Sequence, residues 1–249
     1  MSSKNIEIRE CVTLQELSEC VQLQREVFAL PEVELSPVRH LIVTKNAGGF
    51  TFGAFDGDRL AGFVLSVPAF VDDRRAFYSH MTAVRSEYQG HGIGARLKWA
   101  QRERALAEGV PYIKWTFEPV KSRNAYFNLE KLGAIVRKYY VDFYGTDYTT
   151  TAQTEKKIGL ASDRLIAEWE LESEKVQALA KGDQWTEASE PAARIAAPPD
   201  FLDLVRRDAE AALAEQLRIR GEFQAAFDEG LVGRGFDRTD GPEYLLYRL

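Results

Sequence analysis

The sequence predicts a mixed α/β (α+β) fold: a mixed twisted sheet flanked by helices, with a C-terminal helix-plus-hairpin extension. Three observations predict it. Short β-rich runs alternate with segments of helical period from residue 6 to residue 140. The dipeptide Asp56-Gly57 separates two apolar runs, a strong hairpin signal. An apolar strand then feeds a turn with glycines at 90, 92 and 94, and the residues after it have the spacing of a helix.

Taken in order, the chain reads as a strand at 6–10, helices at 14–29 and 37–45, and a hairpin at 51–67. A strand at 76–84 follows, then a helix at 93–108 with apolar positions 93, 97 and 100. That helix stops at Gly109-Val110-Pro111, an ordinary terminator. Residues 112–117 read as a buried strand, 122–132 as a helix closed by Gly133, and 135–140 as another strand. The Thr/Tyr/Gly-rich stretch 145–159 reads as a loop, and 162–171 alternates as a strand does. Beyond it come a short polar helix at 173–182, a strand at 194–197 and one long helix from Pro198-Pro199-Asp200 to about residue 229. A final hairpin, 231–237 with 244–249, turns at Thr239-Asp240-Gly241-Pro242. The expected division is 1–172 for the main domain and 173–249 for a subdomain packing on it or at a dimer contact.

Composition narrows the function classes. The chain has 249 residues, 45% apolar and 28% charged, ordinary values for a globular protein. Its N-terminus lacks the apolar stretch of a signal peptide and no run reaches membrane-spanning length, so a cytoplasmic protein is expected. Two cysteines, Cys11 and Cys20, are too few for a disulfide framework. No Cys/His spacing suggests a metal. The net charge of −6 divides into +1 for residues 1–150 and −7 for residues 151–249. No basic stripe points to nucleic acid. An acidic rim would favour a cationic amine through its field, or simply promote solubility.

The glycine turn carries the most chemistry. A strand leading through glycines into a helix N-terminus aims free backbone N–H groups at one spot, with the positive end of the helix dipole behind them. Such a site suits a phosphate or pyrophosphate. The spacing is neither that of a dinucleotide fingerprint nor that of a P-loop, which ends Gly-Lys-Ser/Thr. It fits Gln/Arg-x-x-Gly-x-Gly/Ala, here Gln89-Gly90-His91-Gly92-Ile93-Gly94.

That loop closely resembles the acyl-CoA pyrophosphate loop of the GNAT superfamily of N-acyltransferases. The hairpin around Asp56-Gly57 resembles the second and third GNAT strands, and Asn124 to Ala134, with its Lys-Leu-Gly ending, the helix before the sixth. The resemblance implies a GNAT-like sheet and acetyl-CoA, or another acyl-CoA, as co-substrate. Backbone N–H groups of Gln89, Gly90, His91, Gly92, Ile93 and Gly94 would hold the pyrophosphate. The strand edge at Thr82 and Val84 would pair with the pantetheine amides, and an N–H near Val84 would polarise the thioester carbonyl. Arg85, Arg96 and Lys98 are candidate phosphate partners or solvated surface.

Strand alternation places Tyr78, His80 and Thr82 on one face, with Ser79, Met81 and Ala83 on the other. His80 is the expected general base, at the place where arylalkylamine acetyltransferases of this superfamily carry a histidine; the alternative is a structural histidine. Glu118, at the end of the fifth strand, is a second base candidate. The family often has a tyrosine acid four residues before the helix-ending glycine, where this chain has Leu129. Tyr126, one turn earlier, is the substitute candidate for protonating the thiolate, with water the other source. Asn124 and Asn128 are candidate hydrogen-bond partners of cofactor or substrate, and Asn124 is also a candidate helix cap. The expected function is acyl transfer to the amine of a small molecule. The alternatives are a CoA-binding module without turnover and a protein N-acetyltransferase.

Overall fold

The computed structural model describes residues 6–148 and 158–248. It forms two compact units, Met1–Lys114 and Trp115–Leu249. Each is a mostly antiparallel sheet flanked by helices.

The first unit holds β1 (Ile6–Glu10), α1 (Leu14–Phe28), α2 (Val38–Asn46), β2 (Phe50–Asp56), β3 (Arg59–Val71), β4 (Arg74–Val84) and α3 (Ile93–Ala107). β5 (Tyr112–Phe117) crosses from this unit into the next. Strands β1 to β4 pair antiparallel in chain order, and β5 joins β4 in parallel through Phe77↔Ile113 and Tyr78↔Lys114. Helix α1 starts at a capping box. Thr13 accepts from the Glu16 N–H while the Glu16 carboxylate accepts from the Thr13 N–H, satisfying two end groups that the helix itself cannot.

Burial divides the helices between the two faces. Leu17, Cys20 and Leu23 of α1 and Leu41 of α2 pack on Phe63, Leu65 and Ala83. Ile93 and Leu97 of α3 pack on the opposite face, against Ile6, Ala54, Ala61 and Val64. Each of the large side chains withdrawn from water here contributes about 1.5–3 kcal/mol.

The second unit contains α4 (Ser122–Tyr126), running into a π-helical turn at Phe127–Lys131, and β6 (Ile135–Tyr140). After these come β7 (Arg164–Glu170), α5 (Glu174–Lys181), β8 (Ala193–Ala196), α6 (Phe201–Arg207), α7 (Ala209–Asp228), β9 (Val232–Asp237) and β10 (Glu243–Tyr247). Its sheet order is β7-β6-β9-β10-β8. The C-terminal hairpin extends the sheet where β9 meets β6 at Gly233↔Val136. Trp115 and Trp169 meet edge to face, and Trp169 Nε1 donates to the Leu132 carbonyl at 2.7 Å. Phe223 of α7 packs against Tyr139 and Tyr244. The Tyr244 hydroxyl donates to the Pro119 carbonyl at 2.7 Å.

Three sequence expectations need correction. The long helix expected from Asp200 to about residue 229 is two helices, because Asp208 leaves helical geometry (φ −151°, ψ 93°) and its carboxylate caps α7, accepting from Ala211 N–H. Asp200 caps α6 in the same way, so local capping outweighs a continuous apolar pattern. The helix expected at 122–132 changes to π geometry at Phe127, with Leu132 N–H donating to the Phe127 carbonyl at 3.1 Å. The third concerns β4 and bears on the site. Of the loop expected at 145–159, residues 149–157 lie outside the described residues.

Candidate active site

Strand β4 is not evenly alternating. It pairs with β3 through Leu65↔Met81 and then Ser66↔Ser79, so His80 is the extra residue of a β-bulge. A bulge shifts the side-chain phase and re-aims the residue at its apex. Thr82 pairs with Val64, which faces α3, whereas Met81 packs with the α1/α2 face. Ser79 faces α3 through its bond to Lys98. His80 instead meets Ser36, just before α2. His80 and Thr82 therefore lie on opposite faces, and His80 shares its face with Met81, contrary to simple alternation.

The environment of His80 is defined. Its Nε2 shares a hydrogen bond with Ser36 Oγ at 3.3 Å, and the His40 ring lies edge-on with centroids 6.2 Å apart. The segment that delivers Ser36 is anchored to α1 by buried Gln24. The Gln24 amide donates to the Ser36 carbonyl at 3.1 Å and accepts from Ser36 N–H at 2.8 Å. Burial, then the nearby His40, pushes the His80 pKa below the ordinary histidine value. The imidazole thus stays neutral, able to accept a proton, at neutral pH. Sequence spacing carries no signal for Ser36, His40 or Gln24, since their approach depends on how α1 and α2 pack.

The loop follows β4 directly. A 3₁₀ turn at Ser86–Tyr88 leads into Gln89, whose side-chain amide donates to the Val84 carbonyl at 3.0 Å. Gly90 and Gly92 have φ of +82° and +75°, left-handed values that favour glycine. A Cβ on either would meet nothing within 4 Å, so space beside the loop is open. Gly92 is the N-cap of α3, and Arg96 N–H is already bonded to the Gly92 carbonyl at 3.0 Å. The N–H groups of Ile93, Gly94 and Ala95 precede it in the first turn, where a helix supplies no acceptor. Fifteen residues of aligned peptide dipole stand behind them. These donors and the open glycine cradle fit a pyrophosphate. His91 is exposed, its Nδ1 3.0 Å from the Gln89 carbonyl.

The three candidate phosphate cations are engaged otherwise. Lys98 is wholly buried beneath the sheet, and its Nζ donates to Ser79 Oγ at 2.9 Å and to Gln101 Oε1 at 3.0 Å. Burial holds its pKa well below the usual lysine range, so it is no phosphate partner on the surface. Arg85 pairs with Glu26, and Arg96 donates to the Ile6 carbonyl at 2.5 Å.

In the second unit, Glu118 follows β5 and forms ion pairs with Lys121 and, at 3.8 Å, with Arg164. Tyr126 in α4 carries the Arg238 guanidinium over its ring at 3.5 Å and Lys131 at 5.4 Å. Asn124 is exposed. It does not cap α4, whose N-cap is Lys121. Asn128 is buried and accepts from Trp115 Nε1 at 3.2 Å, which commits it to the core. Leu129 is completely buried, so that position packs the interior. Among the described residues no three His, Cys, Asp or Glu side chains gather as a metal site, and no helix is long and apolar enough to cross a membrane.

Residues 15–133 match the model of the acetyltransferase (GNAT) family. Among solved structures, a protein from Desulfovibrio desulfuricans assigned to the GNAT acetyltransferases aligns over 67% of this chain and 99% of its own, at 14% identity and TM-score 0.54. Aminoglycoside 6'-acetyltransferase type Ii aligns over 67% and 98%, at 16% identity and TM-score 0.52. The ribosomal-protein-S18-alanine N-acetyltransferase of Escherichia coli aligns over 66% and 93%, at 16% identity and TM-score 0.50. At these identities the likeness is one of fold. Comparison with curated protein sequences gives no match. Residues 15–133 thus match the acetyltransferase (GNAT) family, a family of acyltransferases, and the fold is the one its solved members share.

Proposed function

We propose that the chain transfers an acetyl or other acyl group from acyl-CoA to the amine of a small molecule, by direct attack of the amine on the thioester. The observation that carries this reading is the open glycine cradle at the start of α3, one turn of chain beyond a bulged strand that re-aims a neutral histidine. Backbone N–H groups from Gly90 to Gly94 hold the donor's pyrophosphate, with His91 contributing only its main chain; the Gln89 N–H, expected to join them, is already bonded to the Ser86 carbonyl at 3.2 Å. The β4 segment at Thr82 and Val84 pairs with the pantetheine amides, and an N–H near Val84 polarises the thioester carbonyl.

His80 takes the proton that the amine gives up as its nitrogen bonds to the carbonyl carbon, directly or through water. Ser36 orients the imidazole. The carbon–sulfur bond then breaks and the CoA thiolate takes a proton from Tyr126 or from water. Glu118 is the second base candidate and Asn124 a polar contact to the cofactor. Residues 1–172 serve as the acyl-CoA-binding, catalytic part, and 173–249 as an addition to it. A cytoplasmic location and a homodimer complete the proposal.

One observation favours a second reading, a CoA-binding module without turnover. Leu129 is buried in the core where the family often has its acid tyrosine. Fold alone does not decide between the two. Thiol release from acetyl-CoA with a panel of small amines tests them. Amine-dependent release supports the enzyme. Protein stabilised by CoA that turns over no amine supports the module, and acetylated protein without modified metabolite in a lysate supports protein N-acetylation.

A further inference from the structure

The face of the first sheet that α3 covers is apolar where Ile93 and Leu97 pack on Ala54, Ala61 and Val64. Beside that cluster it is polar. Lys98 and Gln101 of α3 meet Ser66 of β3 and Ser79 of β4, and none of the four is more than 4% exposed. Lys98 Nζ donates to Ser79 Oγ at 2.9 Å and to Gln101 Oε1 at 3.0 Å, while Gln101 Nε2 donates to Ser66 Oγ at 2.7 Å. One helix thus holds both strands through a chain of buried hydrogen bonds.

Stability alone does not ask for such a set. Withdrawing an amine and two hydroxyls from water is costly, and apolar side chains of like volume commonly serve a core as well or better. What a buried polar set can add is the choice of one register over another.

The two serines stand where that choice is made. The pairing runs Val64↔Thr82, Leu65↔Met81 and then Ser66↔Ser79, so they are the first pair beyond the bulge at His80. In an unbroken register Ser66 would stand opposite His80, and Val67 opposite Ser79. A one-residue slip exchanges the faces of a strand, so His80 would turn to α3 and Ser79 to α1 and α2. Lys98 would then lose its Ser79 acceptor, and His80 its Ser36 partner. The bulged and the unbroken registers differ in which of these two neighbours enters the α3 side, and the donors of α3 match a serine hydroxyl there.

We propose that Lys98 is a positioning residue: with Gln101 it grips Ser79 and Ser66, selects the bulged register of β4 and so holds His80 towards Ser36. Helix α3 also carries the glycine cradle at its N-terminus, so the same grip ties the bulge to the donor site. The choice of register rests on the pairing and the hydrogen bonds; its effect on rate rests on the acyl-transfer reading above.

Imidazole nitrogen NMR of the full chain reads the grip without any cofactor, at pH ~8, where an ordinary histidine is neutral. The His80 signals are those lost in His80→Gln. The wild-type chain should give one set, with Nε2 hydrogen-bonded. Ser79→Ala and Lys98→Met should displace that set or double it, as the ring leaves its fixed place. Leu97→Val opens a cavity on the same helix outside the hydrogen-bonded set; it should lower the melting temperature and leave the His80 signals in place. His80 signals unchanged in both Ser79→Ala and Lys98→Met overturn the proposal, as does an equal displacement in Leu97→Val. If Lys98→Met does not fold, Ser79→Ala decides. Amine-dependent thiol release tests the other reading: in the two variants it should fall roughly ten- to a hundredfold, with little change in CoA affinity. Displaced signals with wild-type rates uphold the grip and remove His80 from the role of base. Displaced signals with no release by the wild-type chain uphold the grip and remove the acyl-transfer function.

Discussion

Ser36 and His80, 44 residues apart, meet through a hydrogen bond of 3.3 Å between Oγ and Nε2. The contact exists because two local devices coincide. Gln24 pins the segment before α2 from both sides of the Ser36 peptide. The bulge in β4 turns His80 towards that segment. A serine partner fixes which imidazole nitrogen is engaged and so leaves the other with a defined role.

His80→Ala is expected to lower the rate of acyl transfer by about 10²–10⁴-fold, the usual value of a positioned proton acceptor. Its affinity for CoA should change little, because the loop is built from main chain. Ser36→Ala should cost less, roughly tenfold, as it removes orientation and not the base. Steady-state kinetics beside CoA calorimetry separates the effects. Parallel loss of CoA affinity in both variants would remove His80 from the role given to it.

The pH profile follows from burial. His80 has a depressed pKa, first through burial and then through His40. The acid limb of kcat/KM should therefore fall below the ordinary histidine value of about 6.5. His40→Gln should move it up towards that value. Stability follows the same sign: the unfolded histidine takes up protons first, so the contribution is complete above pH ~6.5 and is lost as pH falls through the depressed value. An acid limb at or above 6.5 contradicts this assignment.

Gly92→Val puts a β-branched side chain at φ +75°, where the space beside the loop is open. The strain is on the order of 1–2 kcal/mol, so the fold should survive. CoA binding should be lost, since the added side chain occupies the face the pyrophosphate needs. Calorimetry with CoA on a variant whose melting is cooperative checks it, and retained affinity would refute the placement of the donor.

Lys98 is a buried lysine with a depressed pKa. Unfolded, it titrates near 10.4, so between the two values the unfolded chain binds the extra proton and stability rises with pH. Lys98→Met, similar in length, should flatten the rise in melting temperature that the wild-type chain shows as pH rises towards ~10. It should unfold at a somewhat lower temperature at pH 7, because the buried Ser79 hydroxyl and Gln101 carbonyl oxygen lose their donor. An unchanged slope would show that the wild-type lysine is charged in the fold.

Much of this was legible in the sequence because it is local. The glycine loop, the Asp56-Gly57 hairpin and most strand boundaries are set by residues within a few positions of one another. The register of β4 against β3 is not local. Alternation puts His80 beside Thr82, but the skipped pairing between Met81 and Ser79 reverses their relation. Lys98 looks like a surface cation by type, and only the packing of α3 reveals that it ends under Ser79. The break at Asp208 was readable in principle, since aspartate is a strong N-cap, yet the apolar period continues through it. Ser36 gave no signal, because its partners Gln24 and His80 come from distant segments.

The central claim is that this chain moves an acyl group from the donor held at Gln89–Gly94 to an amine presented to His80. The most direct test is acetyl-CoA thiol release by the wild-type chain with and without small amines, alongside His80→Ala. Release that depends on an amine, yields the N-acetylated product and collapses in the variant is the predicted result. CoA binding with no release on any amine, or release that His80→Ala leaves unchanged, would contradict it.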